Sequence, residues 1–113
     1  MPYDPKLAER IRAFLAATDG LDEKKMFGGI GWTIHGHMAA GAHHDGHLII
    51  RCSKEDFVSL LDLPGARPMK RGETPMRGWV VVEAQAVTDD ASLAEWLHRG
   101  RDYAASLPPK TKA

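Results

Sequence analysis

The sequence predicts a small α+β domain in two layers, with an antiparallel sheet and helices on one face of it. Near both ends of the chain apolar residues recur at helical spacing, whereas in the middle they alternate with a period of two. The middle segments are joined by short connections centred on glycine, which favour hairpins over crossover helices. We therefore expect the element order α-β-β-β-α-β(β)-α.

The first helix is predicted from a start signal and an apolar face. In Asp4-Pro5 the aspartate can accept helix N–H groups, and the fixed φ of proline suits the first helical position. Leu7, Ile11 and Leu15 follow at helical spacing. Thr18-Asp19-Gly20 predicts the end of this helix, because glycine tolerates the left-handed backbone found there.

Three strands are predicted next as a meander. The alternating apolar residues of the first strand are Ile30, Trp32 and Ile34. Gly36 is expected to turn the chain into a second strand, residues 37–42. The Asp45-Gly46 pair is favoured in tight hairpins and predicts a turn into a third strand, residues 47–52.

The second half of the chain is predicted to hold a brief helix, one or two strands and a final helix. Ser53 is expected to cap the brief helix, which ends at Leu63-Pro64-Gly65. Residues 66–78 are typical of a loop with an edge strand around Met69, and residues 79–82 are the most β-prone run.

The final helix is expected to begin at Thr88, Asp89 or Asp90. Its apolar side comprises Leu93, Trp96, Leu97, Gly100, Tyr103 and Leu107. We predict a single domain over residues 1–107 and a disordered tail over residues 108–113.

Composition excludes several classes of function. Fifteen basic residues balance fifteen acidic ones, so no overall field draws the chain to nucleic acid or to an anionic membrane. The single cysteine, Cys52, excludes an internal disulfide, and no apolar run approaches the roughly 20 residues that span a bilayer. We expect a cytoplasmic protein without a cofactor.

One segment resembles a known family. Lys25-Met26-Phe27-Gly28-Gly29 leads into a strand, a glycine-centred hairpin and a strand ending in Arg51, and Met76 precedes an aromatic-aliphatic strand. From about Leu21 to Tyr103 this order is similar to the N-terminal domain of the TfoX/Sxy competence regulators.

The resemblance implies a regulatory role and no enzymatic activity. Full-length members of that family promote expression of DNA-uptake genes, acting with a cyclic-AMP receptor protein at promoters. They carry a second, C-terminal domain, and we expect nothing after Leu107 to form one. The implied role is a protein-interaction module whose partner belongs to the transcription machinery.

The residues that carry the resemblance are also the first candidate site. We predict that Lys25, Met26, Phe27, Gly28, Gly29 and Arg51 contact a protein partner, because paired glycines allow close approach of another chain. In the alternative interpretation, Met26 and Phe27 fill the core while the glycines lead the chain into the strand.

A second hypothesis is a metal site. Five of the six histidines lie in a short stretch, where strand pairing could place them around one ion: His35, His37, His43, His44 and His47. No cysteine joins them, and histidines in hairpins are usually solvated.

A third hypothesis is direct DNA binding through a basic stretch formed by Arg67, Lys70, Arg71 and Arg77. A solvated loop explains the same residues, because the stretch lacks interleaved aromatic side chains.

The sheet itself predicts self-association. An antiparallel sheet covered on one side leaves a face and an edge that a second copy of the chain can protect, so we predict a homodimer. Trp32, Trp79 and Trp96 are expected to join sheet to helix, and a tryptophan on the open face would mark an interface.

Overall fold

The computed structural model describes residues 4–26 and 28–108 of the chain. In this part of the chain three α-helices accompany one six-stranded sheet. Their bounds are α1 Pro5–Leu15, β1 Leu21–Met26, β2 Gly29–Ile34, β3 His37–Ala42, β4 Leu48–Arg51, α2 Lys54–Leu60, β5 Ala66–Arg71, β6 Thr74–Val82 and α3 Asp90–Ser106, with a short 3-10 helix at Ala84–Val87.

The sheet confirms the predicted fold class. Its strand order is β1-β2-β3-β4-β6-β5, and every neighbouring pair is antiparallel. The three predicted central strands and the edge strand around Met69 are present. The structure adds β1, a strand that the sequence analysis did not place, at the edge beside β2.

The β2–β3 hairpin turns at the predicted glycine. His35 and Gly36 have φ values of 50° and 88°, and two successive positive φ values are the mark of a type I′ turn. The twist of this turn matches that of the flanking strands, so the hairpin closes without distortion of the pairing between Ile34 and His37.

Each helix begins at a side-chain cap that the sequence predicted. The carboxylate of Asp4 accepts the backbone N–H of Lys6, and the hydroxyl of Ser53 accepts that of Asp56. Of the three candidates before α3, Asp89 is the cap, since its carboxylate accepts the N–H of Ser92 at 2.9 Å.

The main core lies between one face of the sheet and the helices. Its largest fully buried side chain is Trp32 of β2, and Trp96 of α3 belongs to the same cluster. The side chains that α1 contributes include Leu7, Ile11 and Leu15. At Gly100, α3 approaches β3 so closely that a Cβ would overlap the carbonyl oxygen of Ala39.

The helix-free face of the sheet carries a second, smaller cluster. Ile49 is fully buried there and packs with Met69 and Val81. The partly buried Met76 and Trp79 complete it. Trp79 therefore belongs to the face that the helices leave open, whereas Trp32 and Trp96 join sheet to helix as predicted.

The predicted tail is described only at its first residue. The carbonyl oxygen of Pro108 lies 2.6 Å from Nε2 of His37, a hydrogen bond that ties the end of α3 to the start of β3. Residues 109–113 lie outside the described part of the chain. No helix in that part is long and apolar enough to cross a membrane.

Candidate functional site around Arg51

Arg51 is held between two aromatic rings at the end of β4. The strand register places it directly opposite Trp79 of β6, and α3 passes beneath this end of the sheet, where Gly100 faces Ile50. The Cζ atom of Arg51 lies 4.9 Å from the ring centroid of Trp79 and 5.5 Å from that of Tyr103. Both distances are within the range of cation–π attraction. We call these three residues the Arg51 cluster.

The guanidinium of Arg51 has no polar partner in the structure. Arg51 forms no hydrogen bond or ion pair with any residue that the structure describes, and its Nε atom is buried without a hydrogen-bond acceptor. Buried donors are almost always satisfied, so the unsatisfied Nε atom is an exception among the described residues. The side chain is half-buried and its terminal nitrogens keep contact with solvent.

A cavity opens next to Tyr103, between α2 and α3. Its volume is about 510 Å³, within the size range of small-ligand sites. The residues that line it are Cys52, Ser53, Asp56, Leu60, Arg99, Asp102 and Tyr103. Tyr103 thus belongs both to the Arg51 cluster and to the cavity wall.

The cavity combines a second cation with two carboxylates. The guanidinium of Arg99 lies 4.9 Å from the ring centroid of Trp96, and one of its nitrogens is 4.0 Å from a carboxylate oxygen of Glu95, the far limit of an ion pair. Asp56 and Asp102 line the cavity as well. The walls therefore offer both hydrogen-bond donors and acceptors to a ligand.

Cys52 lines this cavity with a thiol of raised pKa. Burial, together with the nearby carboxylate of Asp56, raises the pKa of the Cys52 thiol to about 11. Because the thiolate is the reactive form, the side chain behaves as a small apolar residue near neutral pH.

Arg51 lies apart from the other predicted partner-binding residues in the sheet. Lys25 and Gly29 lie on β1 and β2 at the edge of the sheet, and Arg51 lies on β4. Three strand spacings separate β1 from β4, roughly 14 Å.

The glycines of the Met-Phe-Gly-Gly segment have local structural roles. A Cβ at Gly29 would overlap the carbonyl oxygen of Ala42, so Gly29 permits β2 and β3 to pair. Gly28 has a φ of 71° and packs on His44. Phe27 and the side chain of Met26 lie outside the described residues, and a partner contact at this segment stays a prediction.

The five histidines separate into two groups. His35 and His37 flank the start of β3, whereas His43, His44 and His47 follow its end, about 20 Å away at ordinary strand rise. Within the described residues, no group of three or more His, Cys, Asp or Glu side chains is arranged to hold a metal ion. The structure thus does not bring the predicted set together around one ion.

Two of these histidines instead have backbone partners. The Nδ1 atom of His47 accepts the N–H of Ala84 at 3.0 Å, and Nε2 of His37 bonds the carbonyl of Pro108. His43 lies 2.9 Å from a carboxylate oxygen of Asp45. These contacts fasten the hairpin ends to the rest of the domain.

The predicted basic stretch lies on a β-hairpin. Arg67 and Lys70 are exposed on β5, and Arg77 is exposed on β6. Arg71 ends β5, and its side chain is outside the described part of the chain. The register pairs Arg67 with Val81, which places Arg67 on the helix-free face.

Sequence reasoning singled out Arg51 but not its surroundings. Trp79, Tyr103 and Arg99 come from distant parts of the chain, and no linear spacing connects them. The one available signal was an arginine directly after the apolar run Leu48–Ile50, which placed a cation at a buried strand end.

The fold is a small two-layer α+β domain in which Arg51 contacts two aromatic rings near a mixed-charge cavity. The family model for the TfoX N-terminal domain matches residues 13–104. The chain belongs to the TfoX N-terminal domain family, as the resemblance in the sequence indicated. This is a family of regulatory domains and is not a known enzyme family. A search of curated proteins and a search of solved structures each found no match.

Proposed function

We propose that this domain is a non-enzymatic regulatory module that binds a protein partner through the Arg51 cluster. The observation that carries this proposal is the guanidinium of Arg51, which two rings hold in place without any described polar partner. Arginine, tryptophan and tyrosine are the residue types most enriched where interface binding energy concentrates. Because the rings already fix the side chain, little conformational entropy is lost when a partner binds.

The family supports the regulatory part of the proposal. Its full-length members act on gene expression, so we expect the partner among proteins of the transcription machinery. The high pKa of the Cys52 thiol supports the non-enzymatic part, because the most nucleophilic side-chain type in the cavity stays protonated.

A purely structural role of Arg51 is the competing explanation. In that case the guanidinium only fills the space between Trp79 and Tyr103, and its replacement would lower stability without changing which proteins bind. The two explanations differ in what a folded Arg51→Gln variant captures.

The test is capture from native cell lysate on the immobilised domain, followed by quantitative mass spectrometry. We expect one or more proteins to be retained by the wild type and by Arg67→Gln, an exposed arginine of β5, and to be lost with Arg51→Gln. Thermal unfolding of each variant shows that the domain is folded at the capture temperature. Equal capture by wild type and Arg51→Gln would contradict the proposal.

A further inference from the structure

We propose that the partner presents an acidic peptide segment, with one carboxylate paired to Arg51 and the adjoining residues in the cavity between α2 and α3. This inference rests on the partner-binding function proposed above and adds the chemistry of the ligand. Three features of the structure lead to this inference. They are the exposed N–H groups of the Arg51 guanidinium, the hydrogen-bond donors of the cavity wall and the negative charge of the other wall residues.

The first feature is the way the guanidinium is presented. The rings of Trp79 and Tyr103 engage the cation of Arg51 at 4.9 and 5.5 Å from its Cζ atom, and neither ring accepts its N–H groups in a conventional hydrogen bond. A guanidinium presents its donors as a planar fork that matches the two oxygens of a carboxylate. A partner carboxylate would therefore meet a donor pair that is already oriented.

The second feature is the cavity that continues from Tyr103. Arg99 places a second guanidinium on its wall, and the Ser53 hydroxyl keeps its hydrogen for donation because its oxygen accepts the Asp56 N–H. Leu60 adds an apolar surface. Such a wall fits a short polypeptide segment, which brings apolar and polar groups together, better than it fits an isolated ion.

The third feature is the charge of the remaining wall residues. Asp56 and Asp102 repel any anion, with the charge of Asp102 partly offset by Arg101 at 3.6 Å, and they repel a doubly charged phosphate about twice as strongly as a singly charged carboxylate. The same two carboxylates can accept the backbone N–H groups of a bound peptide. The cavity therefore favours an acidic peptide over a phosphate group.

Two short peptides test the inference directly. The probe is acetyl-Gly-Glu-Gly-Gly-amide, its neutral match is acetyl-Gly-Gln-Gly-Gly-amide, and inorganic phosphate is the third arm. Binding is followed by tryptophan fluorescence, since Trp79 contacts Arg51, and by calorimetry. We expect the glutamate peptide to bind saturably and at least about tenfold more tightly than the glutamine peptide, corresponding to about 1.4 kcal/mol. Phosphate is expected to bind more weakly than the glutamate peptide.

Variants locate the binding site. Arg51→Gln is expected to weaken the glutamate peptide by about tenfold, and Arg51→Lys by an intermediate factor, because lysine keeps the charge and loses the planar fork. Arg99→Gln is expected to weaken it as well, while Arg67→Gln leaves it unchanged. If Arg51→Gln does not fold, the inference is tested by the affinity of Arg99→Gln for the glutamate peptide and by the affinities of the wild type for the two peptides.

Several results would overturn the inference. These are equal affinity for the two peptides, unchanged affinity in a folded Arg51→Gln variant, or tighter binding of phosphate than of the glutamate peptide. If the same Arg51→Gln variant nevertheless loses its captured protein, the proposed function stands and only the acidic ligand is excluded. If a folded Arg51→Gln variant keeps both the captured protein and the glutamate peptide, the proposed function and the acidic ligand are both excluded.

Discussion

At the scale of single residues, Glu23 connects a helix, an edge strand and the core through one carboxylate. Its two oxygens accept Nε and Nη2 of Arg12 at 2.8 and 2.9 Å, and one of them also accepts Nε1 of the fully buried Trp32 at 2.9 Å. The hydrogen bonds from Arg12 hold the pKa of Glu23 below its ordinary value of 4.5, against a smaller opposing effect of burial, and the bond from Trp32 lowers it further.

This pKa shift predicts an acid-dependent loss of stability. A carboxyl whose pKa is lower in the folded state stabilises the fold above its unfolded-state pKa, and that stabilisation disappears as the pH falls through the folded-state pKa. Because Glu23 is partly exposed, we expect Glu23→Gln to cost only about 1 kcal/mol near neutral pH. The cost should shrink as the pH is lowered, measured by urea unfolding near neutral pH and at the lowest pH at which the domain still folds.

The matched control is Glu9→Gln, an exposed glutamate of α1. It should lower the free energy of unfolding by less than about 0.5 kcal/mol at either pH. A Glu23→Gln variant whose deficit is the same at both pH values would show that the carboxylate charge is not what stabilises this junction.

At the scale of elements, the contact of α3 with β3 depends on a glycine in the middle of a helix. Replacing a helical glycine by alanine ordinarily stabilises a protein by about 1 kcal/mol. At Gly100 the new methyl group would overlap the carbonyl oxygen of Ala39, so α3 would have to move away from the sheet. We expect Gly100→Ala to destabilise the domain by about 1–3 kcal/mol in chemical denaturation.

Ala105→Gly is the control for this prediction, because Ala105 is exposed on the same helix. It should cost less than about 1 kcal/mol, because Ala105 lies in the last turn of α3, and this would show that α3 responds normally to substitution away from the sheet. A stabilising Gly100→Ala would mean that α3 and β3 are further apart than described.

The short helix α2 depends on its N-terminal cap. Seven residues are too few for an independently stable helix, and the Ser53 hydroxyl accepts the Asp56 N–H at 3.0 Å. We expect Ser53→Ala to lower the free energy of unfolding by about 1 kcal/mol. Ser59→Ala, an exposed change within the same helix, should be close to neutral, and equal losses in the two variants would argue against the cap.

The edge strand β1 is the element that the sequence did not predict. The segment Leu21–Met26 carries two acidic and two basic residues between its apolar ends, so it has no alternating apolar face. It is nevertheless a strand, because it pairs along its whole length with the buried strand β2. Pairing with a distant or flanking strand is a tertiary effect that local propensity does not contain.

The helices and central strands, in contrast, follow directly from the chain. The caps Asp4 and Ser53 and the glycine turn at Gly36 lie where their local chemistry placed them. The Arg51 cluster could be predicted only in part. Arg51 was named, but its contacts with Trp79 and Tyr103 depend on strand register and helix placement.

At the scale of the whole molecule, the homodimer stays a prediction, and the structure suggests which face would form it. Charged residues line β1, and Arg67, Pro68 and Lys70 interrupt β5, so both edges discourage pairing with another strand. The helix-free face has partly buried Met76 and Trp79 beside its cluster. We therefore expect a second copy to pack there.

Light scattering during size-exclusion chromatography measures the mass of the particle in solution and so tests the dimer. We expect twice the chain mass of 12.4 kDa for the wild type and the single-chain mass for Met76→Lys. Val58→Lys is the control, since Val58 is 60% exposed on α2, away from this face. A single-chain mass for the wild type at every concentration would refute the dimer.

The contact between α1 and the segment before α3 also constrains when the contacts of α1 form during translation. Arg10 donates hydrogen bonds to the carbonyl oxygens of Val87 and Thr88 and reaches the carboxylate of Asp90, so this residue of the earliest helix finds its polar partners almost eighty positions later. During translation at roughly 5–20 residues per second, these partners follow Arg10 by several seconds. We therefore expect the contacts of Arg10 to form only after translation has passed Asp90.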